Sequence, residues 1–263
     1  MHPRFRPLLL TCIFLSPGLS HAADKPADGP VTLRLLSASG FIGAAAAIAR
    51  DYEKKTSAVH LQIIKAPPAG ATLADAFQQK PSPEGFDLVM TDRATMDRMV
   101  AQQRVDPITR VELGQSFIAM AVKDGSPKPE IDTVDALRDT LIKAESVGYA
   151  NSPTGMYLSH WLFPHMKLDQ NFVLKSKAIS AEPVGHAVAR GDAQLGFQQL
   201  SELKAAPGID IVGLIPDSVQ QMVLYSGAVM NDSTNPEEAE ELLDYMKSSA
   251  GRAAIQESGL QPL

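Results

Sequence analysis

The sequence predicts an α/β fold of two lobes with a ligand cleft between them. Strand and helix signals alternate through residues 31–103, and a second alternating set follows the loop "KDGSPKPEI" at 123–131. Such alternation is the pattern of a parallel sheet with right-handed crossovers. A short strand-and-helix part then returns at the C-terminal end, so the chain is expected to cross between lobes more than once. These observations assign residues 31–115 and 221–263 to one lobe and 116–220 to the other. Folds of this kind take ligands in the cleft, at the C-terminal ends of their strands.

Taken in order, Val31–Leu36 reads as a buried strand and the alanine-rich Phe41–Lys55 as a helix. Val59–Ile64 is a second strand, and Thr72–Gln79 a helix ended by Pro81 and Pro83. Phe86–Met90 is a third strand, followed by a helix over Ala94–Gln103. Ser116–Val122 reads as the next strand, Asp132–Ile142 as a helix and Ser146–Tyr149 as a strand. The helix from Thr154 is expected to stop at Pro164, which has no N–H to continue the ladder. Pro183–Arg190 is a helix, Ala193–Phe197 a strand, and Ile209–Leu214 and Gln221–Val229 further strands. Asn235–Lys247 and Gly251–Glu257 read as closing helices.

The segment before the fold has another character. Arg4 and Arg6 form a basic patch, Pro7–Leu15 ("PLLLTCIFL") a short apolar run, and Ser20-His21-Ala22 a small-residue cleavage pattern. Residues 1–22 therefore read as a secretory signal peptide, because the apolar run is too short to span a bilayer. The only cysteine, Cys12, lies inside it. A mature chain without thiols excludes cysteine nucleophiles, disulfides and cysteine metal sites, and a bacterial periplasm is the expected location. The formal charge of −6, lowered by two when Arg4 and Arg6 are removed, makes nucleic acid a poor partner.

The order and spacing of "GATLADAF" (70–77), "FDLVMTDRATMDRMV" (86–100), "SPTGMYLSHWL" (152–162), "VGHAVARGDAQLGFQQLSEL" (184–203) and the stretch 215–255 resemble the type II periplasmic solute-binding proteins, in their molybdate-binding-protein-like branch. The resemblance covers nearly all of the mature chain. It implies an anion held between lobes by hydroxyls and by backbone N–H groups at helix N-termini, where unpaired donors carry partial positive charge. The matching turns here are Ser37–Gly40 (Ser37, Ser39, Gly40), 69–72 (Gly70, Thr72), 151–155 (Asn151, Ser152, Thr154) and 184–186. Gln199 stands where molybdate binders carry a tyrosine. Several departures favour a larger, planar, multi-carboxylate ligand. The second loop reads "PPAGAT", leaving only Thr72 to offer a hydroxyl, while Arg93 and His186 add groups that a small tetrahedral dianion does not need.

Each candidate also has a plainer reading. Ser37 or Ser39 could be only an N-cap, worth about 1 kcal/mol. Arg93 could be a surface partner of Asp92 or Asp97, and His186 a surface residue near its helix start. Ser152-Pro153 looks like a cap with proline at the first helical position. Met96, Trp161 and Phe197 read as core. The histidines show no metal-ligand spacing, and no metal is expected.

Two functions stay open. The family as a whole implies a receptor that captures a small anion and hands it to an ABC permease. Within the branch, the length, the leader, the motif order and "QLGFQQLSEL" (194–203) are similar to the periplasmic aconitate isomerases. That resemblance implies a cofactor-independent proton shift between the arms of a tricarboxylate, done by a base of near-neutral pKa. His186 is the first candidate for the base, its imidazole kept neutral by the helix N-terminus, with Asp92 and Tyr149 behind it. Arg93, Ser39, Thr72, Ser152 and Gln199 would hold carboxylates. A monomer is expected.

Overall fold

A computed structural model describes residues 29–66 and 85–263. The expected signal peptide, the helix Thr72–Gln79, Gly70 and Thr72 lie outside the described residues.

The first strand, β1 (Val31–Ser37), is buried along most of its length, as a strand covered on both faces must be. A 3₁₀ turn (Ser39–Phe41) leads into α1 (Ile42–Lys55), whose buried stripe is Ala44, Ala45, Ile48, Ala49 and Tyr52. Small alanines let this helix lie close on the sheet, and Lys54 and Lys55 sit at its negative end. β2 (Val59–Lys65), β3 (Leu88–Asp92) and α2 (Arg93–Ala101) complete the first set. β1 lies between β2 and β3 and is parallel to both.

β4 (Val111–Lys123) is longer than the expected strand, which began at Ser116. Its first part, "VELGQ", carries polar residues and a glycine that disguise strand character. Then come α3 (Val134–Lys143), capped by the Thr133 hydroxyl, β5 (Val147–Ala150) and α4 (Pro153–Tyr157). The helix begun by α4 ends at His165, one residue beyond the expected stop at Pro164. It passes through a π turn (Leu158–Leu162) into α5 (Phe163–His165). The widened turn accommodates a residue that cannot donate to the carbonyl one turn back. α6 (Gln170–Lys175) and β6 (Ser176–Ile179) were not anticipated, because four half-exposed residues, "SKAI", show no apolar alternation. α7 (Val184–Arg190), β7 (Leu195–Gln199), the short α8 (Leu200–Leu203) and β8 (Ile209–Leu214) follow. β9 (Met222–Val229), α9 (Pro236–Lys247), α10 (Ser249–Glu257) and β10 (Gln261–Pro262) close the chain.

The strands run in the order β2-β1-β3-β9-β4-β7-β5-β6, with β8 and β10 also paired to β4. β9 is inserted antiparallel between β3 and β4. β5 is parallel to both β6 and β7. β4 serves both halves: Val111–Phe117 pairs with β9, Ile118–Ala121 with β7, and Ala119–Lys123 with β8. One apolar cluster joins Leu33, Leu35, Ile48, Leu242 and Ile255 under α1, α9 and α10. A second joins Ile118, Met120, Leu137, Leu158, Phe163 and Phe197. Phe197 meets Phe163 edge-on at 6.3 Å, and Phe163 meets Phe172 at 4.9 Å. Phe197 is thus core, as the sequence implied, whereas Trp161 is exposed and stacks between Tyr157 and His165.

Among the described residues no helix is long and apolar enough to cross a membrane. No group of histidines and acids among them is arranged to hold a metal.

Candidate functional site

The C-terminal ends of β1, β3, β5 and β7 carry most of the predicted residues. At the end of β1, Ser37 is fully buried and its hydroxyl donates to the Ala38 carbonyl at 3.2 Å. Neither Ser37 nor Ser39 caps a helix: the cap positions are Ala38 for the 3₁₀ turn and Phe41 for α1, without side-chain bonds. The plainer reading of these serines is therefore corrected, and the half-buried Ser39 makes no hydrogen bond from its hydroxyl among the described residues. Gly40 is buried against Tyr225, and a Cβ added there would stand 1.9 Å from the phenol oxygen.

At the end of β3, Asp92 caps α2, accepting from the Thr95 N–H at 3.0 Å, while its second oxygen takes the Thr91 hydroxyl at 3.4 Å. Arg93 is exposed at the first position of α2. It makes no ion pair among the described residues, and Asp97 pairs instead with Arg110 at 2.6 Å.

In the second half of the sheet, Asn151 is exposed and donates its N–H to the Ile179 carbonyl at 3.0 Å. Ser152 caps α4 through the Gly155 N–H at 3.4 Å, with Pro153 at the first helical turn, as expected. Thr154 is buried and accepts from Gln199 Nε2 at 2.9 Å. Gln199 Oε1 is buried with no partner among the described residues; a carboxylate offers no donor to it, so Gln199 would hold one through the second N–H of Nε2. Tyr149 is half-buried and packs edge-on to Phe163 at 5.9 Å. His186 lies on the exposed side of α7, close enough to Glu182 to help lower that carboxyl, whose main influence is Arg190.

The structure adds groups that sequence reasoning passed over. Gln198 accepts the Val184 N–H at 3.0 Å through Oε1, which leaves its amide N–H₂ to donate to the Glu202 carboxylate. Glu202 sits on α8, which packs against the 3₁₀ turn Ser39–Phe41. Ser201 beside it bonds the buried Ser116 hydroxyl of β4 at 3.2 Å. Burial pushes the Glu202 carboxyl above the usual range, opposed by the Gln198 bond and by the Lys65 ammonium at the end of β2. By surface area the residue is only partly buried, although the carboxyl lies deep in the molecule. Burial, with Glu202 and then Asp92 nearby, holds the Tyr225 phenol well above its ordinary value, so it stays protonated. A separate surface cavity of about 780 Å³, lined by Lys128, Glu130, Asp139 and Lys143 among others, contains none of these groups.

The raised Glu202 has a consequence for stability. Between the ordinary carboxylate range and its folded value, the folded state binds more protons than the unfolded one, so stability falls as pH rises through that window. Glu202→Gln is therefore expected to raise Tm at pH 8 and to change it little at pH 4, read by thermal melts across pH.

Residues 33–261 match the family model for bacterial extracellular solute-binding proteins. The aconitate isomerase of a Pseudomonas species is 49% identical over 264 aligned positions, covering 100% of this chain and 98% of that protein. The periplasmic molybdate-binding protein of Azotobacter vinelandii superposes with a TM-score of 0.66 at 19% identity, over 87% of this chain and 98% of its own. PEB3 of Campylobacter jejuni, in its L-phospholactate-bound structure, gives a TM-score of 0.65 at 14% identity, over 87% of this chain and 99% of its own. The fold is that of the type II periplasmic binding proteins, and the chain belongs to the bacterial extracellular solute-binding family.

Proposed function

We propose that this protein is an aconitate isomerase, interconverting trans- and cis-aconitate without a cofactor. The observation that carries the reading is 49% identity along the whole chain to an enzyme of that name. The site supports it chemically, since the Glu202 carboxylate on α8, the protonated Tyr225 phenol on β9, the Lys65 ammonium at the end of β2 and the start of α1 come together there. A base removes one proton from the methylene carbon of the substrate. The electron pair spreads over the allylic carbons and the neighbouring carboxylate, and a proton returns to the opposite allylic carbon. The double bond moves and nothing is oxidised. Donors fixed at the strand ends would stabilise the spreading charge, and a single base can take and return the proton.

Ser37, Ser39, Gly40, Gly70, Thr72, Arg93, Asn151, Ser152, Thr154 and Gln199 form the proposed carboxylate-binding set. The proposed lobes are 31–115 with 221–263 and 116–220, a division supported by the change of partners along β4. The ligand is a small anion, the location the periplasm after removal of residues 1–22, and the form a monomer. The second reading, a receptor serving an ABC permease, is favoured by the family itself.

The test is to follow cis-aconitate formation by proton NMR after adding purified protein to trans-aconitate. Approach to the same mixture from either isomer is expected. No turnover, together with tight binding of molybdate, would establish the receptor instead.

A further inference from the structure

Most of the polar residues at the strand ends already have structural work. Asp92 is committed to capping α2, and His186 stands on the exposed side of its helix. Glu202 is held differently. Gln198 is oriented by the Val184 N–H, so its amide can only present N–H₂ to the carboxylate. The short helix carrying Glu202 is fixed to β4 through Ser201 and Ser116, and it abuts the turn that opens α1. Tyr225 faces the same place from β9, its phenol lodged over Gly40. Lys65 approaches from the end of β2, where it is the register partner of Ser37.

From this juxtaposition we propose that Glu202 is the catalytic base, positioned by Gln198 and Tyr225, with Lys65 holding a substrate carboxylate. The proposal rests on the isomerase reading. One carboxylate oxygen takes the methylene proton as that C–H bond breaks. The double bond re-forms between the central carbon and the former methylene, and the carboxylic acid delivers the proton to the other allylic carbon. The base returns to its starting state, so no co-reactant is needed. A buried carboxylate is more basic than one in water, which suits it to an allylic proton. The charged or titratable groups facing it are Lys65 from β2 and Tyr225 from β9, and Tyr225 in turn faces Asp92 at the end of β3. Lys204, on the same segment, is engaged with the Glu257 carbonyl at 2.8 Å.

Glu202→Gln is expected to lower kcat roughly 1,000-fold and to abolish exchange of the allylic protons with D₂O. Binding of trans-aconitate, measured by calorimetry, should persist. Glu202→Asp should recover part of the exchange. A Gln variant that keeps more than a tenth of the wild-type kcat overturns the proposal while leaving the isomerase reading intact. A wild-type protein that neither isomerises nor exchanges overturns both. If the Gln variant fails to fold, the wild-type acid limb of kcat/KM decides. That limb should lie above the ordinary carboxylate range and move up further in Lys65→Met. A limb that Lys65→Met leaves in place overturns the proposal.

Discussion

Gly40→Ala is expected to lower kcat/KM roughly 100-fold, the scale set by a 1 Å displacement in a catalytic constellation, and to reduce Tm. The added methyl would stand 1.9 Å from the Tyr225 phenol oxygen and 2.7 Å from the ring carbon that bears it. Tyr225 is 5% exposed and meets Phe41 at 6.0 Å between ring centroids, so it has little room to retreat. Overpacking of this kind costs about 1–3 kcal/mol, or roughly 3–10 °C in a domain of this size. Activity should fall further than stability because the displaced group is the phenol beside Glu202. Gly43→Ala is the control from the same helix entry. Its methyl would meet nothing nearer than 3.7 Å, and alanine in a helix is expected to add about 0.5 kcal/mol. Kinetics and thermal melts on the pair check both halves of the expectation.

Gly155→Ala is expected to be the more damaging change to the fold, by about 3 kcal/mol or more, or roughly 6–12 °C in Tm. Here the methyl would stand 1.7 Å from the Ala150 carbonyl oxygen and 3.0 Å from the Tyr149 ring. A backbone carbonyl at the end of a strand paired on both sides cannot swing aside as a side chain can. The 151–154 turn would have to lift away from β5, taking with it the Ser152 cap and the Thr154–Gln199 bond. A melting curve decides it, and a loss of less than 1 kcal/mol would mean that this helix start is looser than its packing implies.

The alternation of strands and helices was legible because the residues involved answer to local rules. β1 carries Val31, Leu33, Leu35 and Leu36 in a short run, α1 sets alanines at helical spacing, and Ser152-Pro153 is a start signal readable from two residues. The polar onset of β4 and the half-exposed β6 were hidden, since their partners rather than their own side chains make them strands. The same division runs through the site. Turns that follow strands could be found by position, whereas Glu202, Tyr225 and Lys65 meet only through topology. Tyr225 comes opposite Asp92 because β9 enters the sheet antiparallel beside β3, and no local pattern announces that. The usable hint was "QQLSEL", an acid placed immediately after a fully buried strand. The serines of 37–40 misled in another way, since capping chemistry is readable in composition while the 3₁₀ turn that displaces it is not.

β4 has a mechanical consequence. A strand keeps a nearly fixed rise of about 3.3 Å per residue but twists readily, most of all at bulges. Its register slips between Glu112 and Gly114 and again between Met120 and Ala121, and Ser116 lies between these points, joined to Ser201. Any rotation of one half of the sheet against the other would twist β4, along with the second crossing at 220–221, close to Ser201 and its neighbour Glu202. Tyr225, paired with Gly114 on β4, is close to the axis as well. Asn151 and Ser152, at the end of β5, lie two strands away from it. On the proposed roles, Glu202 lies beside this pivot and the carboxylate-binding Asn151 and Ser152 away from it, so opening the site would move the grip more than the base.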